Sequence, residues 1–235
     1  MKIAIIGYGK MGHMIEDVAR SRGHEIVCAI DAGDTFDLKG ADVAIEFTTP
    51  ATAEDNIRKA WAQGVPVVCG TTGWNPEELK IKNYKLKIKD NKAVIADETG
   101  KVMLVWSSNY SVGVNIFFEL NKFLAQKIRE ASPQPSPEGK GGYMPSIKEI
   151  HHIHKLDKPS GTAKTLAEQI SAMYEGRMYD VRREVPIESI REGEVPGTHE
   201  VTWDSEEDTI VITHIAKGRR GFALGAVLAA EEVTR

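Results

Sequence analysis

The stretch Ile3-Ala4-Ile5-Ile6-Gly7-Tyr8-Gly9-Lys10-Met11-Gly12 decides the fold. Its first four residues are apolar without alternation and are closed by a glycine, the pattern of a short strand buried on both faces. Gly7 to Gly12 matches G-x-G-x-x-G. In such a string the first glycine permits a tight turn, the second lets the backbone approach a pyrophosphate, and the third lets the following helix pack close to the strand. Met14, Ile15, Val18 and Ala19 follow at helical spacing and predict a helix over 11–20, whose N-terminus offers free N–H groups and partial positive charge to an anion. A second strand over 25–30 runs into Asp31, where a carboxylate accepts hydrogen bonds from the ribose hydroxyls of an adenosine. The glycine string alone is weak evidence, and a turn used only for packing is the competing reading. Strand before, helix after and acid beyond favour a dinucleotide site built from Gly7, Tyr8, Gly9, Lys10, Met11, Gly12 and Asp31. The Asp31 carboxylate repels a 2′-phosphate, and Ala32 and Gly33 supply no cation to receive one. NADH is therefore the expected cofactor, with NADPH the weaker alternative.

Outward from this stretch the rhythm continues. Strands are expected over 42–47 and 65–69, with a helix over 51–63 stopped by Gly64. Gly70-Thr71-Thr72-Gly73 closes the fourth strand at the edge where open α/β sheets bind ligands, so Gly70, Thr71 and Thr72 are candidate contacts to ribose or nicotinamide; a plain polar turn is the alternative. Asn75-Pro76-Glu77-Glu78 reads as a helix start, with a capping Asn, Pro at the first position and acids in the first turn. Strands alternating with helices predict a Rossmann-like doubly wound parallel sheet. Residues 84–101 are charge-rich and read as a surface excursion or hairpin, 102–106 as a buried strand, 107–115 as a polar loop and 115–128 as an amphipathic helix. Four prolines and three glycines between 131 and 145 predict an inserted flexible loop. Strands over 146–154, 181–190, 199–203 and 209–215 with one helix over 160–174 then predict a second, α+β unit with an open mixed sheet, and 221–233 a closing small-residue helix. The expected boundaries are 1–110 with 218–235 for the dinucleotide unit and 111–217 for the other.

The second unit carries Glu149-Ile150-His151-His152-Ile153-His154-Lys155. Strand alternation puts His152 and His154 on one face and His151 and Lys155 on the other. Three readings compete. Metal binding needs converging ligands, and adjacent histidines point apart, so no metal is expected. A solvated polar edge is the bland alternative. Acid–base and anion chemistry is favoured, because imidazole titrates near neutrality and an ammonium supplies charge or a proton. Pro159-Ser160-Gly161-Thr162 strengthens it: these residues precede a helix, whose N-terminus is a carboxylate or phosphate site unless the hydroxyls merely cap it. Imidazole, ammonium and helix N-terminus together suit a small dicarboxylate substrate.

Composition narrows the partners. Of 235 residues, 41% are hydrophobic and 27% charged, and the net charge is -4. No large positive field is available to attract nucleic acid. No apolar run approaches the ~20 residues that span a bilayer. Two cysteines, Cys28 and Cys69, each close an apolar run and read as buried thiols rather than a disulfide framework. The chain opens on a strand without signal-peptide architecture, so a reducing, cytoplasmic setting is expected.

The run from Glu149 to His152 through Lys155 and Asp157 to Pro159-Ser160-Gly161-Thr162-Ala163 resembles the signature of the 4-hydroxy-tetrahydrodipicolinate reductase (dihydrodipicolinate reductase) family. Gly7 to Gly12, Glu46-Phe47-Thr48, Gly70 to Gly73, Asn109 to Asn115 and Gly221 to Ala226 match in family order over nearly the whole chain. The resemblance implies hydride transfer from a nicotinamide to a cyclic, conjugated imine dicarboxylate on the diaminopimelate route to lysine. It implies His151 as proton donor or acceptor and Lys155 as proton donor. His152, Gly161 and Thr162 are implied to hold substrate carboxylate, and Ser107, Ser108, Asn109 and Tyr110 to join the cofactor residues. A homotetramer is implied, with the tail helix returning to the nucleotide unit. Lys10 stands where many members carry Arg, the glycine turn is one residue shorter than the common form, and Ala32 stands where some members place an Arg for a 2′-phosphate.

Overall fold

The computed structural model describes residues 1–79, 85–89, 92–131, 142–173 and 185–235. The chain divides into two compact units, Met1–Val112 with Arg219–Arg235, and Gly113–Gly218.

The first unit is built on seven strands: β1 (Lys2–Ile6), β2 (Glu25–Ile30), β3 (Val43–Glu46), β4 (Val67–Cys69), β5 (Lys85–Lys89), β6 (Lys92–Ala96) and β7 (Val102–Ser107). Their order is β2-β1-β3-β4-β7-β6-β5. The first five in that order are parallel, and β6 and β5 add an antiparallel edge. The apolar run of β1 is explained by this placement. Ile3 and Ile5 pack on one face with Ile15, Val18 and Ala19 of α1 (Lys10–Ser21) and with Ala223, Ala226 and Val227 of the tail helix, α5 (Arg220–Val233). Ala4 and Ile6 pack on the other face with Ile57 and Ala60 of α2 (Pro50–Ala62). Both faces are covered, so neither alternates with polar residues. From β1 the chain goes to β2 on one side and to β3 on the other, so the β1–β3 boundary is the switch point at which such sheets bind ligands.

The second unit is an open mixed sheet of β8 (Met144–His151), β9 (Ile187–Arg191), β10 (Thr198–Asp204) and β11 (Thr209–Ile215), in the order β11-β10-β8-β9. Only the β8–β9 pair is parallel. Phe117, Phe118 and Ile128 of α3 (Val112–Ala131) and Leu166 and Ile170 of α4 (Gly161–Ala172) pack on Ile147, Val201 and the fully buried Trp203.

Several local expectations change. The helix expected at Asn75 is a single 3-10 turn, Pro76–Leu79, begun by Asn75 Oδ1 accepting from Glu77 N at 3.0 Å. The polar loop after β7 ends at Val112 rather than 115, because Asn109 Oδ1 accepts from Ser111 N at 2.9 Å just ahead of α3. The charge-rich excursion is the β5–β6 hairpin, which pairs with β7 and so widens the sheet. Of the loop expected over 131–145, Ala131 ends α3 and Met144 begins β8; residues 132–141 lie outside the described residues, as do 174–184 with the start of the strand expected at 181. Cys69 is buried, whereas Cys28 is only partly so, and both are free thiols. Among the described residues no helix is long and apolar enough to cross a membrane.

Candidate active site

In the first unit the three glycines of the turn have three different environments. Gly7 has φ +92°, and a Cβ there would lie 2.2 Å from the carbonyl oxygen of Phe47. At Gly12 a Cβ would lie 2.4 Å from the carbonyl oxygen of Gly7, which sets how closely α1 approaches β1. At Gly9 nothing lies within 4 Å, so its missing side chain leaves open space over the turn. Gly9 is also the N-cap of α1 and makes no side-chain cap, so the first N–H groups of the helix remain for an anion. That cradle fits a pyrophosphate. Gly7 N donates to Ile30 O at 2.8 Å, which sets the turn beside Asp31. The Asp31 carboxylate is exposed and accepts from Ala32 N at 2.9 Å; a second carboxylate, Asp34, accepts from Asp31 N at 2.8 Å.

Beyond the turn a cleft of about 230 Å³ is lined by Met11, Gly70, Ser107, Ser108, Asn109 and Tyr110, all expected, and by Phe47, Arg219 and Phe222, which were not. The first turn of α5 supplies the last two. Arg219 and Arg220 stand at a helix N-terminus, where cations oppose the helix dipole unless an anion is near; that mismatch was the available signal. Thr71 and Thr72 are not among the lining residues. Thr71 is buried, with Oγ1 accepting from Thr48 N at 2.8 Å and its carbonyl accepting from the indoles of Trp74 and Trp106. Its side chain thus ties this loop to the one after β3, and Thr72 is exposed. The Tyr110 hydroxyl is turned into the sheet, 2.7 Å from Val105 O and 3.0 Å from Cys69 O, so only its ring and backbone face the cleft. The Tyr8 hydroxyl is held by Glu16, and Lys10 is exposed at the start of α1.

In the second unit β8 stops at His151, so the two-face division of the histidine run does not apply. Glu192 N donates to His151 O at 2.8 Å and Ile153 N to Gly193 O at 3.1 Å, which turns the chain out of the sheet. His151 is buried, His152 is half-buried, and His154 is exposed beside Glu194. Lys155 Nζ stands 2.7 Å from Asp157. Gly161 and Thr162 form the first turn of α4, capped by Ser160, whose Oγ accepts from Ala163 N at 3.3 Å.

Sequence reasoning missed the group beneath these residues. Sheet register sets Glu149 opposite His199 and His151 opposite Arg191. Glu149 is fully buried. Its Oε1 accepts from Ser160 N at 3.1 Å and from Arg191 Nη2 at 3.0 Å, and its Oε2 lies 3.0 Å from His151 Nδ1 and 3.8 Å from His199 Nε2. Burial by itself would raise this carboxyl, but hydrogen bonds from His151, Ser160 and Arg191 hold it well below the usual carboxylate range. The signal was Glu149 on the inward side of an apolar strand, a placement that needs a partner. Glu149, His151 and His199 each offer a donor atom within 4.8 Å of the others, a spacing that a cation can enter. The protein already engages them: Arg191 compensates the carboxylate, and the Ser160 hydroxyl lies 3.2 Å from His199 Nε2.

Burial, with the neighbouring His151 adding to it, pushes the His199 imidazole down to about 3. Its unfolded value is near 6.5. Between those values the unfolded chain binds a proton that the fold refuses, so stability present above pH 6.5 is lost as pH falls toward 3. Urea midpoints measured across that window should fall with pH in the native chain and fall less steeply in His199→Gln. An equal slope in both would remove His199 as the source.

A glycine-turn cradle on a Rossmann-type sheet, joined in one chain to a unit with histidines and a lysine near a helix N-terminus, is the arrangement of two-unit nicotinamide-dependent oxidoreductases. The comparisons narrow that class. The family description "Dihydrodipicolinate reductase, N-terminus" matches residues 1–110, and "Dihydrodipicolinate reductase, C-terminus" matches residues 113–235. The chain belongs to the dihydrodipicolinate reductase family. It is 44% identical to the 4-hydroxy-tetrahydrodipicolinate reductase of Christiangramia forsetii, over 98% of this chain and 91% of that one. It is 31% identical to the enzyme of the same name from Archaeoglobus fulgidus, over 100% of this chain and 95% of that one. Among solved structures, dipicolinate-bound dihydrodipicolinate reductase from Paenisporosarcina sp. TG-14 shares the fold with a TM-score of 0.71 at 20% identity, covering 100% of this chain and 94% of that one.

Proposed function

We propose that the chain reduces 4-hydroxy-tetrahydrodipicolinate, by way of dihydrodipicolinate, to tetrahydrodipicolinate in the diaminopimelate route to lysine. The observation that carries this reading is the signature stretch itself. His151 ends β8, Gly161 and Thr162 open α4, and the Ser160 N–H on Glu149 joins the two. An acid and an anion-binding helix end are thus neighbours, as a dicarboxylate that must accept a proton requires.

A bound nicotinamide cofactor supplies the hydride. Gly7, Gly9 and the first turn of α1 hold the pyrophosphate, Asp31 the ribose hydroxyls, and Met11, Gly70 and Ser107 to Tyr110 the nicotinamide end, with Arg219 adding positive charge. His152, Gly161 and Thr162 bind substrate carboxylate. Hydride addition to the conjugated imine leaves carbanion or enamine character, which a proton from His151 or Lys155 quenches. A homotetramer fits the apolar side chains left exposed on the second unit, Ile116 and Phe123 of α3 at 64% and 57% exposure and Val211 and Ile215 of β11. The setting is cytoplasmic, where NADH and the pathway's intermediates meet.

The test is an assay that generates the substrate from pyruvate and aspartate semialdehyde and follows cofactor oxidation. Turnover is expected, and none with folded protein would sink the reading. Run with each cofactor, it should favour NADH by at least about tenfold in kcat/KM, since Asp31 would meet the ribose hydroxyls, a second carboxylate, Asp34, lies beside it, and a 2′-phosphate adds charge. A preference for NADPH would overturn the role of Asp31.

A further inference from the structure

We infer that the buried pair Glu149–Arg191 is a positioning device that sets both proton-bearing side chains at once: Glu149 fixes the imidazole of His151, and Arg191 fixes the loop that carries Lys155. The inference rests on the roles proposed above for His151 and Lys155.

Glu149 is fully buried and Arg191 is mostly so. A buried ion pair is weak evidence for stability, because well-packed apolar residues of the same size do as well or better. Another use is then to be sought for the pair, and the contacts of each partner supply one. A carboxylate only accepts hydrogen bonds. Glu149 Oε2 lies 3.0 Å from His151 Nδ1, and a carboxylate oxygen that near favours a proton on Nδ1, with Nε2 left as the outward nitrogen. A Cβ at Gly197 would lie 3.1 Å from that Nε2, so the residue beside it has no side chain to cover it. His199, the other imidazole near Glu149, lies further off at 3.8 Å, and its Nε2 faces the Ser160 hydroxyl. It does not displace His151.

Arg191 does the second half. Its Nη2 holds Glu149 Oε1, and the same nitrogen donates to the carbonyl of Asp157. Its Nε donates to the carbonyl of Lys155 at 3.2 Å, and its Nη1 to that of Ile190 at 2.8 Å. One planar guanidinium thus ties the end of β9 to the backbone of residues 155 and 157 and to the carboxylate behind His151. Lysine cannot reproduce that fork. The Ser160 N–H on the same carboxylate carries the setting on to the first turn of α4.

The experiment combines kinetics with imidazole NMR on the full chain. Glu149→Gln should lower kcat about 100-fold and leave the KM for NADH unchanged. Long-range 1H–15N spectra should show His151 with its proton on Nδ1 in the native chain and a mixture of tautomers in Glu149→Gln. The double variant Glu149→Gln/His151→Ala should be no slower than His151→Ala alone, because a group acting through another adds nothing once that other is gone. Arg191→Lys should lower kcat about tenfold, and Arg191→Lys/Lys155→Ala should match Lys155→Ala. If Glu149→Gln fails to fold, Glu149→Asp keeps the charge but draws the carboxylate back from Nδ1, and the same loss of tautomer is expected. An unchanged tautomer and kcat in the folded variant, or effects that multiply in the double variants, would overturn the inference. Should His151→Ala itself keep full turnover, the proposed role of His151 falls, while the tautomer spectra still decide whether Glu149 sets the imidazole.

Discussion

Replacing His151 by alanine lowers turnover by about 100- to 10,000-fold, the range that one positioned general acid supplies, and leaves the dissociation constant for NADH within about twofold. The split follows from where the residues stand. The glycine turn, Asp31 and the cleft beside Gly70 belong to the first compact unit, and His151 to the second. His151 is buried at the end of β8, and its Nδ1 faces a carboxylate that holds three other contacts. Taking the imidazole away leaves Glu149 still paired with Arg191 and Ser160, so the unit keeps its charge balance and the variant should fold. Lys155→Ala should lose turnover in the same way. Its ammonium is partly exposed and pairs with Asp157, so its loss costs the fold little. Single-turnover rates with NADH binding measured by fluorescence separate the outcomes. A variant that loses NADH binding yet turns over normally when saturated would reverse the assignment of these residues to proton transfer.

How much of this was legible before any coordinates depends on how local the cause was. The turn from Gly7 to Gly12 could be read because two of its glycines are held by atoms of adjoining elements, Phe47 O for Gly7 and Gly7 O for Gly12, while Gly9 leaves open space. The buried parallel strands could be read because a strand covered on both faces has no polar period to hide it. The ends of elements were harder. Alternation continues past His151 in the sequence, but the strand stops there because Glu192 and Gly193 take the next backbone hydrogen bonds, and nothing in residues 146–154 encodes that. The site's more distant members were not legible at all. Arg191 is one arginine among several in a charged stretch until sheet pairing sets it opposite His151. Arg219 and Phe222 reach the cleft beside Gly70 only because α5 packs back on the first unit. Tyr110 was found as a residue, but its hydroxyl bonds inside the sheet, which no motif reports.

That return of α5 gives the second large effect. Gly225→Ala should lower the stability of the first unit by about 3 kcal/mol or more, the upper part of the range for forcing atoms into a closed site, and its melting temperature by on the order of 10 °C. A Cβ at 225 would lie 1.6 Å from the carbonyl oxygen of Tyr110 and 2.7 Å from the carbonyl carbon. Backbone cannot swing aside as a flexible side chain does, so either α5 lifts or the segment after β7 moves. Lifting α5 uncovers Ala223, Ala226, Val227 and Ala230, which pack on Ile3, Ile5 and the inner face of α1. Moving Tyr110 breaks its hydroxyl contacts to Val105 and Cys69 and shifts a wall of the cleft that Arg219 and Phe222 also line. Either route couples the loss of stability to weaker NADH binding. Gly221→Ala in the same helix is the control. Its Cβ would meet only Ser111 Oγ at 3.6 Å, an ordinary contact, and alanine improves helix propensity by up to about 1 kcal/mol. Calorimetry should show Gly225→Ala melting well below the native chain and Gly221→Ala at or above it. Equal melting of the two would mean that α5 is not held against Tyr110 at that distance, and the cleft would lose the wall that brings Arg219 to it.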